Sequence, residues 1–303
     1  MAGGVLIAGR AVRQGWRALA MALAVLALAS PAPAEGAPKP RRIASLNVCT
    51  DQLVLMLGAR ERLVSVTFLA ADPSSSALAE EARGLRLNRG RAEEILPLAP
   101  DLVLAGDTAA TPTVALLTRL KRRVVVVPLA LTLADIPRNI ETLAGAIGEE
   151  AKGRRMIARF REALARLIRD ASPPPGPKPV ALLVGPNGVT SGEDSLTGAI
   201  IAAAGFANGA AGLGLSGVGR LPLERVIGAN PDLLILSSLK VEHPSLAGGF
   251  IRHPALERAF AGRRKIRIHH HVWACGTPLV LGAIERLIEA RASLRGARRA
   301  GRR

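Results

Sequence analysis

Tyrosine does not occur in this sequence of 303 residues, and aromatic residues make up only 2% of it. Without tyrosine, the protein cannot bind iron through a tyrosinate oxygen. After residue 34 the aromatic candidates for lining a binding site are Phe68, Phe206 and Trp273, the last being the only tryptophan in that part of the chain. A site that surrounds a large ligand with aromatic rings is therefore disfavoured.

Acidic residues are few relative to basic ones: 24 Asp and Glu against 41 Lys and Arg, a formal charge of +17. A charge of this size raises the possibility of nucleic-acid binding. The excess is dispersed, however, with arginines at positions 10, 13 and 17 and five more in residues 295–303. We therefore expect no nucleic-acid partner, and we predict that the basic tail 295–303 is disordered.

The apolar run near the N-terminus is too short to cross a membrane. It extends from Ala18 to Ala29, whereas a membrane-spanning helix needs about 20 apolar residues. Basic residues precede the run, and small residues at Ala32 and Ala34 follow it, as in a signal-peptidase site. The sequence predicts a signal peptide over residues 1–34, cleavage after Ala34, and export to a periplasm or the cell exterior.

Only two cysteines are present, Cys49 and Cys275. In an oxidising compartment such a pair forms a disulfide by default, unless the Cα atoms lie too far apart to be bridged. Free thiolates could instead contact a ligand or its metal. A third possibility is that both are small buried apolar residues. The sequence leaves these three alternatives open.

Residues 149–170 predict one long helix with a single buried stripe. Proline and glycine at 173–177 forbid its continuation. Its apolar residues follow the three- and four-residue spacing of a helix face: Met156, Ile157, Phe160, Leu164, Leu167 and Ile168.

The segments on either side of this helix resemble each other. Residues 93–104 and 224–235 each contain a glutamate, a short apolar helix pattern, Pro-Asp-Leu and a buried strand. Strands alternate with helices throughout both halves, which predicts parallel sheets covered on both faces. We therefore expect two α/β lobes, residues 35–134 and 172–294, joined by a helical connector at 135–171.

In parallel sheets, ligands bind where the carboxyl ends of the strands meet, and two lobes would form a cleft there. Arginine suits anionic groups because its guanidinium makes paired hydrogen bonds, although a solvated basic loop would look the same. The predicted ligand-binding residues lie in the loops at these ends: Asn47, Cys49, Thr50, Phe68, Arg89, Arg91, Ser191, Trp273 and Cys275.

Three consecutive histidines, 269–271, follow the last predicted strand. Because alternate residues of a strand face the same side, His269 and His271 should project together. With a cysteine thiolate they could ligate a transition metal, and His271, Cys49 and Cys275 are weak candidates for this. A polar strand edge would show the same pattern. We therefore predict neither a bound metal nor a cofactor.

Several segments resemble the periplasmic binding proteins for iron complexes and cobalamin. They are the opening strand with residues 43–47, the segment 57–66, both Glu…Pro-Asp-Leu segments, Ala203-Ala204-Gly205, and the Trp…Gly…Pro pattern before the last helix. The resemblance covers residues 42 to about 291. It implies two Rossmann-like lobes with parallel sheets joined by one long helix, the class III architecture, with little movement on binding.

The resemblance also implies a partner. Glu93 and Glu224 match two family glutamates, one on each lobe, that dock onto arginines of an ABC transporter permease dimer. Two negative charges that a rigid helix holds at a fixed separation can match the basic residues of a two-fold symmetric partner. The same residues are also acids favoured at helix N-termini. Trp273 matches a loop that gives the family aromatic contact with ring-shaped ligands.

The resemblance therefore implies a monomeric periplasmic solute-binding protein without enzymatic activity. It would capture a metal chelate, such as a ferric siderophore, haem or cobalamin, and deliver it to an ABC importer. One alternative is an enzyme with Cys275 or Cys49 as nucleophile and His271 as base. Another is a binding protein for a bare metal ion or a non-metal solute.

Overall fold

The first half of the chain forms a sheet of five parallel strands in the order β3-β2-β1-β4-β5. The computed structural model describes residues 38–108, 110–171, 176–238, 246–261 and 265–300. The predicted signal peptide, 1–34, lies outside these residues. The strands of this sheet are β1 (Ile43–Ser45), β2 (Leu63–Thr67), β3 (Leu87–Asn88), β4 (Leu102–Gly106) and β5 (Val124–Val127).

Helices connect these strands on both faces of the sheet. Because β1 and β4 are covered on both sides, all their residues are buried, as expected for a parallel sheet. The helices of this half are α1 (Val48–Met56), α2 (Ala92–Ile95), α3 (Thr111–Arg119) and α4 (Asp135–Ile147).

The second half contains a four-stranded parallel sheet in the order β11-β10-β6-β8 and a separate antiparallel pair, β7-β9. Its strands are β6 (Val180–Val184), β7 (Val189–Ser191), β8 (Ala207–Asn208), β9 (Val218–Arg220), β10 (Leu233–Ser238) and β11 (Lys265–His269). Its helices are α6 (Leu196–Ala203), α7 (Leu223–Gly228), α8 (Leu246–Gly249), α9 (Pro254–Ala259) and α10 (Val280–Ala300).

The repeated Pro-Asp segments perform the same structural task in both lobes. The Asp101 carboxylate accepts the backbone N–H groups of Arg41 and Arg42, at 2.7 and 2.9 Å, just before β1. The Asp232 carboxylate accepts the N–H of Val180, the first residue of β6, at 2.8 Å. Each aspartate therefore anchors the start of the neighbouring parallel strand by satisfying backbone donors there.

One long helix, α5 (Glu150–Asp170), joins the two lobes. It packs closely on α4, since a Cβ atom at Gly153 would lie 2.5 Å from the Cβ of Ala144. Phe160 is buried, and one continuous hydrophobic cluster contains this ring together with core residues of both sheets. From Lys39 onward the described chain forms one compact unit. The predicted long helix is confirmed to within one residue.

The predicted fold class, two α/β lobes with parallel sheets and one connecting helix, is also confirmed. Of the helices in the described ranges, none combines the length and hydrophobicity needed to cross a bilayer. One local expectation was wrong: the predicted loop at 47–50 is largely helical, because α1 starts at Val48. The last helix runs to Ala300, and residues 301–303 of the predicted basic tail lie outside the described residues.

The Gly-rich stretch 205–219 contains the short strand β8 and most of β9, which the sequence did not predict. Strands of two or three residues have too few side chains to show a period, so sequence patterns could not find them. The antiparallel partner of β9 is β7, which carries Ser191. The edge strand β3 was missed for the same reason.

Candidate functional site

The parallel strands of the first lobe bring two loops to one edge of the sheet. β2 ends at Thr67 and is followed by Phe68, while β3 ends at Asn88 and is followed by Arg89. Since β2 and β3 are neighbours in the sheet, these two loops lie side by side at the carboxyl edge. This is the edge where ligands bind in open α/β sheets.

Phe68 and Arg89 contact each other at this edge. The guanidinium carbon of Arg89 lies 5.7 Å from the centroid of the Phe68 ring, within the range of a cation–π contact. The Phe68 side chain is 47% exposed, and Arg89 and Arg91 are exposed too. The pair therefore places an exposed aromatic ring beside positive charge at this edge.

A buried carboxyl group holds the Phe68 loop in place. Asp51, on α1, is completely buried, and one of its oxygens, Oδ2, accepts hydrogen bonds from the Thr67 hydroxyl at 2.6 Å and the Thr67 N–H at 3.2 Å. Burial disfavours the charged carboxylate and raises the pKa of Asp51 to about 7, although the Thr67 hydrogen bonds partly oppose this. Asp51 thus ties α1 to the residue that precedes Phe68.

A second buried polar residue holds the Arg89 loop. The Asn88 carboxamide donates to the Ser45 carbonyl at 3.0 Å and to the Ser65 hydroxyl at 2.6 Å. Its oxygen accepts the N–H of Gly90 at 2.9 Å. Sequence reasoning missed both Asp51 and Asn88 as positioning residues. Local sequence patterns could not identify them, because their partners Thr67, Ser45 and Ser65 lie 16 to 43 positions away along the chain.

The second lobe faces the first across a cavity of about 350 Å³. His269 and His271 line it from the second lobe, opposite the segment Pro73–Glu80 of the first. The two imidazole rings stack nearly parallel, at 7°, with centroids 5.4 Å apart. The expectation that these two side chains project together is confirmed. His270 lies between them in the sequence; its side chain is exposed at the surface but partly desolvated, and this desolvation and the neighbouring His271 lower its pKa.

Cys49 and Cys275 form a disulfide bond, with their Cα atoms 5.2 Å apart. Neither sulfur is therefore a thiolate, so the proposals that these cysteines ligate a metal or attack a substrate are wrong for this oxidised chain. Within the described residues, no group of three or more His, Cys, Asp or Glu side chains could hold a metal ion. Of the three residues that the sequence suggested as weak metal ligands, His271 remains, and no cysteine thiolate is available to bind a metal together with it.

Several other predicted ligand contacts are buried, which corrects the sequence interpretation. Trp273 is 2% exposed and belongs to the hydrophobic core, so its ring is not available to a ligand in the cleft. Thr50 is 2% exposed and uses its hydroxyl on Ser45 and on a backbone carbonyl. Ser191 is 6% exposed, on the β7-β9 pair. Periodicity does not distinguish loop residues that face a cleft from those that face the core.

Asn47 caps a helix. Its side-chain oxygen accepts the N–H groups of Cys49 and Thr50, at 2.8 and 3.4 Å, which satisfies two free donors at the start of α1. The residue lines a small cavity of about 40 Å³ beside Gly106 and Leu129. Leu129 is 52% exposed and follows the carboxyl end of β5. Its exposed apolar side chain is a feature of this edge that the sequence reasoning did not identify.

Glu93 and Glu224 occupy equivalent positions in the two lobes. Each is the second residue of a short helix, α2 or α7, and each is exposed. Neither forms a salt bridge with any residue that the structure describes. The neighbouring Glu94 differs, because it accepts the N–H of Arg89 at 2.7 Å. That hydrogen bond holds the pKa of Glu94 below its ordinary value, and it distinguishes the bound Glu94 from the exposed Glu93.

Comparison with known proteins agrees with this architecture. A family model described as periplasmic binding protein matches residues 43–271, and the chain therefore belongs to that family. Its fold is similar to that of the periplasmic haem-binding protein RhuT from Roseiflexus sp. RS-1 in its apo form. The two are 26% identical, with a TM-score of 0.72 over 84% of this chain and 98% of RhuT.

Two relatives are similar in sequence. A cobalamin-binding protein of Halobacterium salinarum is 25% identical over 198 residues, 65% of this chain. The chain spans about half of that relative, 54% of its length. An uncharacterized ABC transporter substrate-binding lipoprotein, YvrC of Bacillus subtilis, is 23% identical over 259 residues, which cover 83% of this chain and 77% of YvrC.

Proposed function

We propose that this chain is the solute-binding component of an ABC importer and that it binds a metal chelate between its lobes. The observation that carries the proposal is the match to the periplasmic binding protein family over residues 43–271, on a fold of two lobes joined by one helix. The names of its relatives point the same way, since they include a haem-binding and a cobalamin-binding protein.

The chemistry of the cleft edge favours a chelate with flat rings and anionic substituents. The exposed face of Phe68 suits contact with a planar ring system. Arg89 and Arg91 are placed to bind carboxylate groups, such as the propionates of haem or the acidic groups of a siderophore. This set of residues is the proposed ligand-contact surface of the first lobe.

The same proposal implies that the protein acts in the periplasm. Residues 1–34 would direct export and be removed after Ala34, so that the mature chain starts at Glu35 in the periplasm. There the oxidising environment maintains the Cys49–Cys275 disulfide. The mature protein would act as a monomer, since one copy supplies both lobes of the cleft.

Glu93 and Glu224 are the proposed docking points for the permease dimer. Two observations support this: both side chains are exposed, one on each lobe, and they occupy equivalent positions in α2 and α7. Opposite charges across an interface fix its register and speed association. Two carboxylates related by the repeat of the lobes therefore suit a partner with a repeated basic site.

Titration of the mature protein with a panel of chelates tests the ligand proposal. The panel consists of haem, cyanocobalamin, cobinamide and several ferric hydroxamates, followed by absorbance and calorimetry. We expect saturable binding of one chelate class at one molecule per chain, and weaker binding of the corresponding metal-free compound. Folded, cargo-free protein that binds none of these chelates, or that binds the bare metal ion better, would refute it.

A further inference from the structure

A groove outside the proposed chelate site lies beside the connecting helix α5. Its volume is about 460 Å³, within the range of about 300–1,000 Å³ that is typical of small-molecule sites. Three elements form its walls: the end of α1 at Met56, the first half of α5, and the segment Pro278–Leu281 of the second lobe. None of the proposed chelate contacts belongs to it.

The floor of the groove is apolar. Buried Phe160 lies at its base, and the aliphatic or thioether side chains of five further residues complete the apolar part of the lining. These five are Met56, Met156, Ala163, Pro278 and Leu281. Methionine side chains adapt to ligands of irregular shape because they are unbranched and flexible. The floor thus suits a hydrocarbon chain.

The rim carries positive charge and no acidic side chain. Arg155 and Arg159 are exposed, one helical turn apart on α5, and in the described part of the chain neither forms a salt bridge. Lys152, the third basic residue of the lining, is already paired with Glu149 at 3.1 Å. Two guanidinium groups are therefore available for one anionic head group.

We propose that this groove binds a single-chain amphiphile with a carboxylate head, such as a long-chain fatty acid. The hydrocarbon chain lies on the Met56–Phe160 floor, and Arg155 and Arg159 bind the carboxylate. Charge and polarity select this occupant: a neutral alcohol lacks the anion, and a cationic amphiphile is repelled.

The disulfide strengthens the proposal because it joins two walls of the groove. Cys49 lies in the first turn of α1, which ends at Met56, and Cys275 lies three residues before Pro278. The bond keeps the first-lobe wall and the second-lobe wall at a fixed separation. A site that is formed before the ligand arrives loses less entropy on binding. Reduction of the disulfide should therefore weaken amphiphile binding without any change in the arginines.

Calorimetric titration of the mature protein with monomeric dodecanoate tests the proposal, with dodecan-1-ol and dodecyltrimethylammonium as chemical controls. We expect saturable binding of dodecanoate at one molecule per chain. Arg155→Ala with Arg159→Ala should lower its affinity roughly tenfold or more, because charge-assisted hydrogen bonds are lost. The matched control, Arg154→Ala with Arg161→Ala, removes the same charge from exposed residues outside the groove and should bind like the wild type.

A second variant blocks the floor. Ala163 lines the groove and is only partly buried, so Ala163→Phe should fill the space and abolish dodecanoate binding while circular dichroism shows an unchanged fold. Equal losses in both arginine pairs, equal affinity for the alcohol, or no saturable binding by the wild type would each overturn the proposal. So would binding to phosphatidylglycerol vesicles in the absence of binding to free dodecanoate. Chelate binding is measured separately, so the two proposals can fail independently.

Discussion

Cys49 and Cys275 join the two lobes by a disulfide bond, although 226 residues separate them in the sequence. The next residue, Gly276, packs against the first lobe so closely that a Cβ atom would lie 2.3 Å from the Cβ of Ala130. The turn at 275–276 is therefore bonded to the first lobe and packed on it, while the residues that follow belong to the second. Together with α5, it is a further connection between the lobes.

Loss of the disulfide should destabilise the protein. Cys49→Ser with Cys275→Ser should lower the free energy of unfolding by about 2–5 kcal/mol, the usual effect of removing a native disulfide. Denaturation in guanidinium chloride, with and without reductant, measures this. Reductant should weaken the wild type and leave the double variant unchanged. Two free thiols per chain in unreduced, folded protein would contradict the assignment.

Substitution of Gly276 should weaken the contact between the lobes. Gly276→Ala inserts a methyl group against Ala130, and overpacking of this kind costs about 1–3 kcal/mol. Thermal denaturation measures the loss. Gly282→Ala is the matched control, because among the described residues no atom beyond its own helix turn lies within 4 Å of a Cβ at this exposed position of α10. That variant should be neutral or more stable by about 0.5–1 kcal/mol, since alanine favours helix.

Asp51 should make the folded protein less stable as the pH rises from about 4 to 7. Its pKa is about 7 in the folded protein and about 3.9 in an unfolded chain. Between about pH 4 and 7 the unfolded chain releases the proton that the folded protein keeps. The Asp51 contribution to stability is therefore fully present below about pH 4. It declines as the pH rises to about 7, by a total on the order of 4 kcal/mol.

Asp51→Asn tests this, because asparagine does not titrate and its oxygen can still accept the Thr67 hydrogen bonds. We expect the variant to gain stability relative to the wild type as the pH rises from 4.5 to 8, in denaturation curves at each pH. Asp170→Asn removes an exposed carboxylate and controls for the lost charge. A difference between Asp51→Asn and the wild type that stays constant with pH would show that Asp51 is ionised throughout.

Arg89 should contribute to ligand affinity through its position over Phe68. Arg89→Ala should lower the affinity for an anionic chelate roughly tenfold, because a charge-assisted hydrogen bond is lost. Arg86→Ala removes an exposed arginine three residues earlier and should change the affinity little. Titration of both variants with the chelate that the wild type binds measures the ratio. Equal affinities for the two variants would exclude Arg89 from the ligand contact.

Charge reversal at the two exposed glutamates should stop uptake without affecting ligand binding. Glu93→Arg with Glu224→Arg would repel a basic permease surface, so cells that depend on the chelate should fail to import it. The purified variant should still bind the chelate. Glu162→Arg with Glu285→Arg makes the same change in charge at exposed helical positions elsewhere and should leave uptake intact. Wild-type uptake by the first variant would disprove the docking assignment.

Much of the fold could be predicted from local patterns. The long helix, the repeated Glu…Pro-Asp strand units and the parallel class follow from hydrophobic periodicity and turn residues, which act over a few positions. The shortest strands escaped because two or three residues do not establish a period. Of the site, Phe68, Arg89 and Arg91 are exposed where they were expected, and His269 and His271 project together. The roles proposed for all of these in ligand binding remain predictions.

The sequence by itself determined the two-lobed α/β architecture, the family resemblance and the equivalence of Glu93 and Glu224, because each depends on residues near one another in the chain. The tertiary structure alone decided which loop residues face solvent. It buried Trp273, Thr50 and Ser191, left Phe68 exposed, and brought Cys49 within bonding distance of Cys275. Burial and long-range contact are properties of how the chain packs, within each lobe and between the lobes, and not of local spacing.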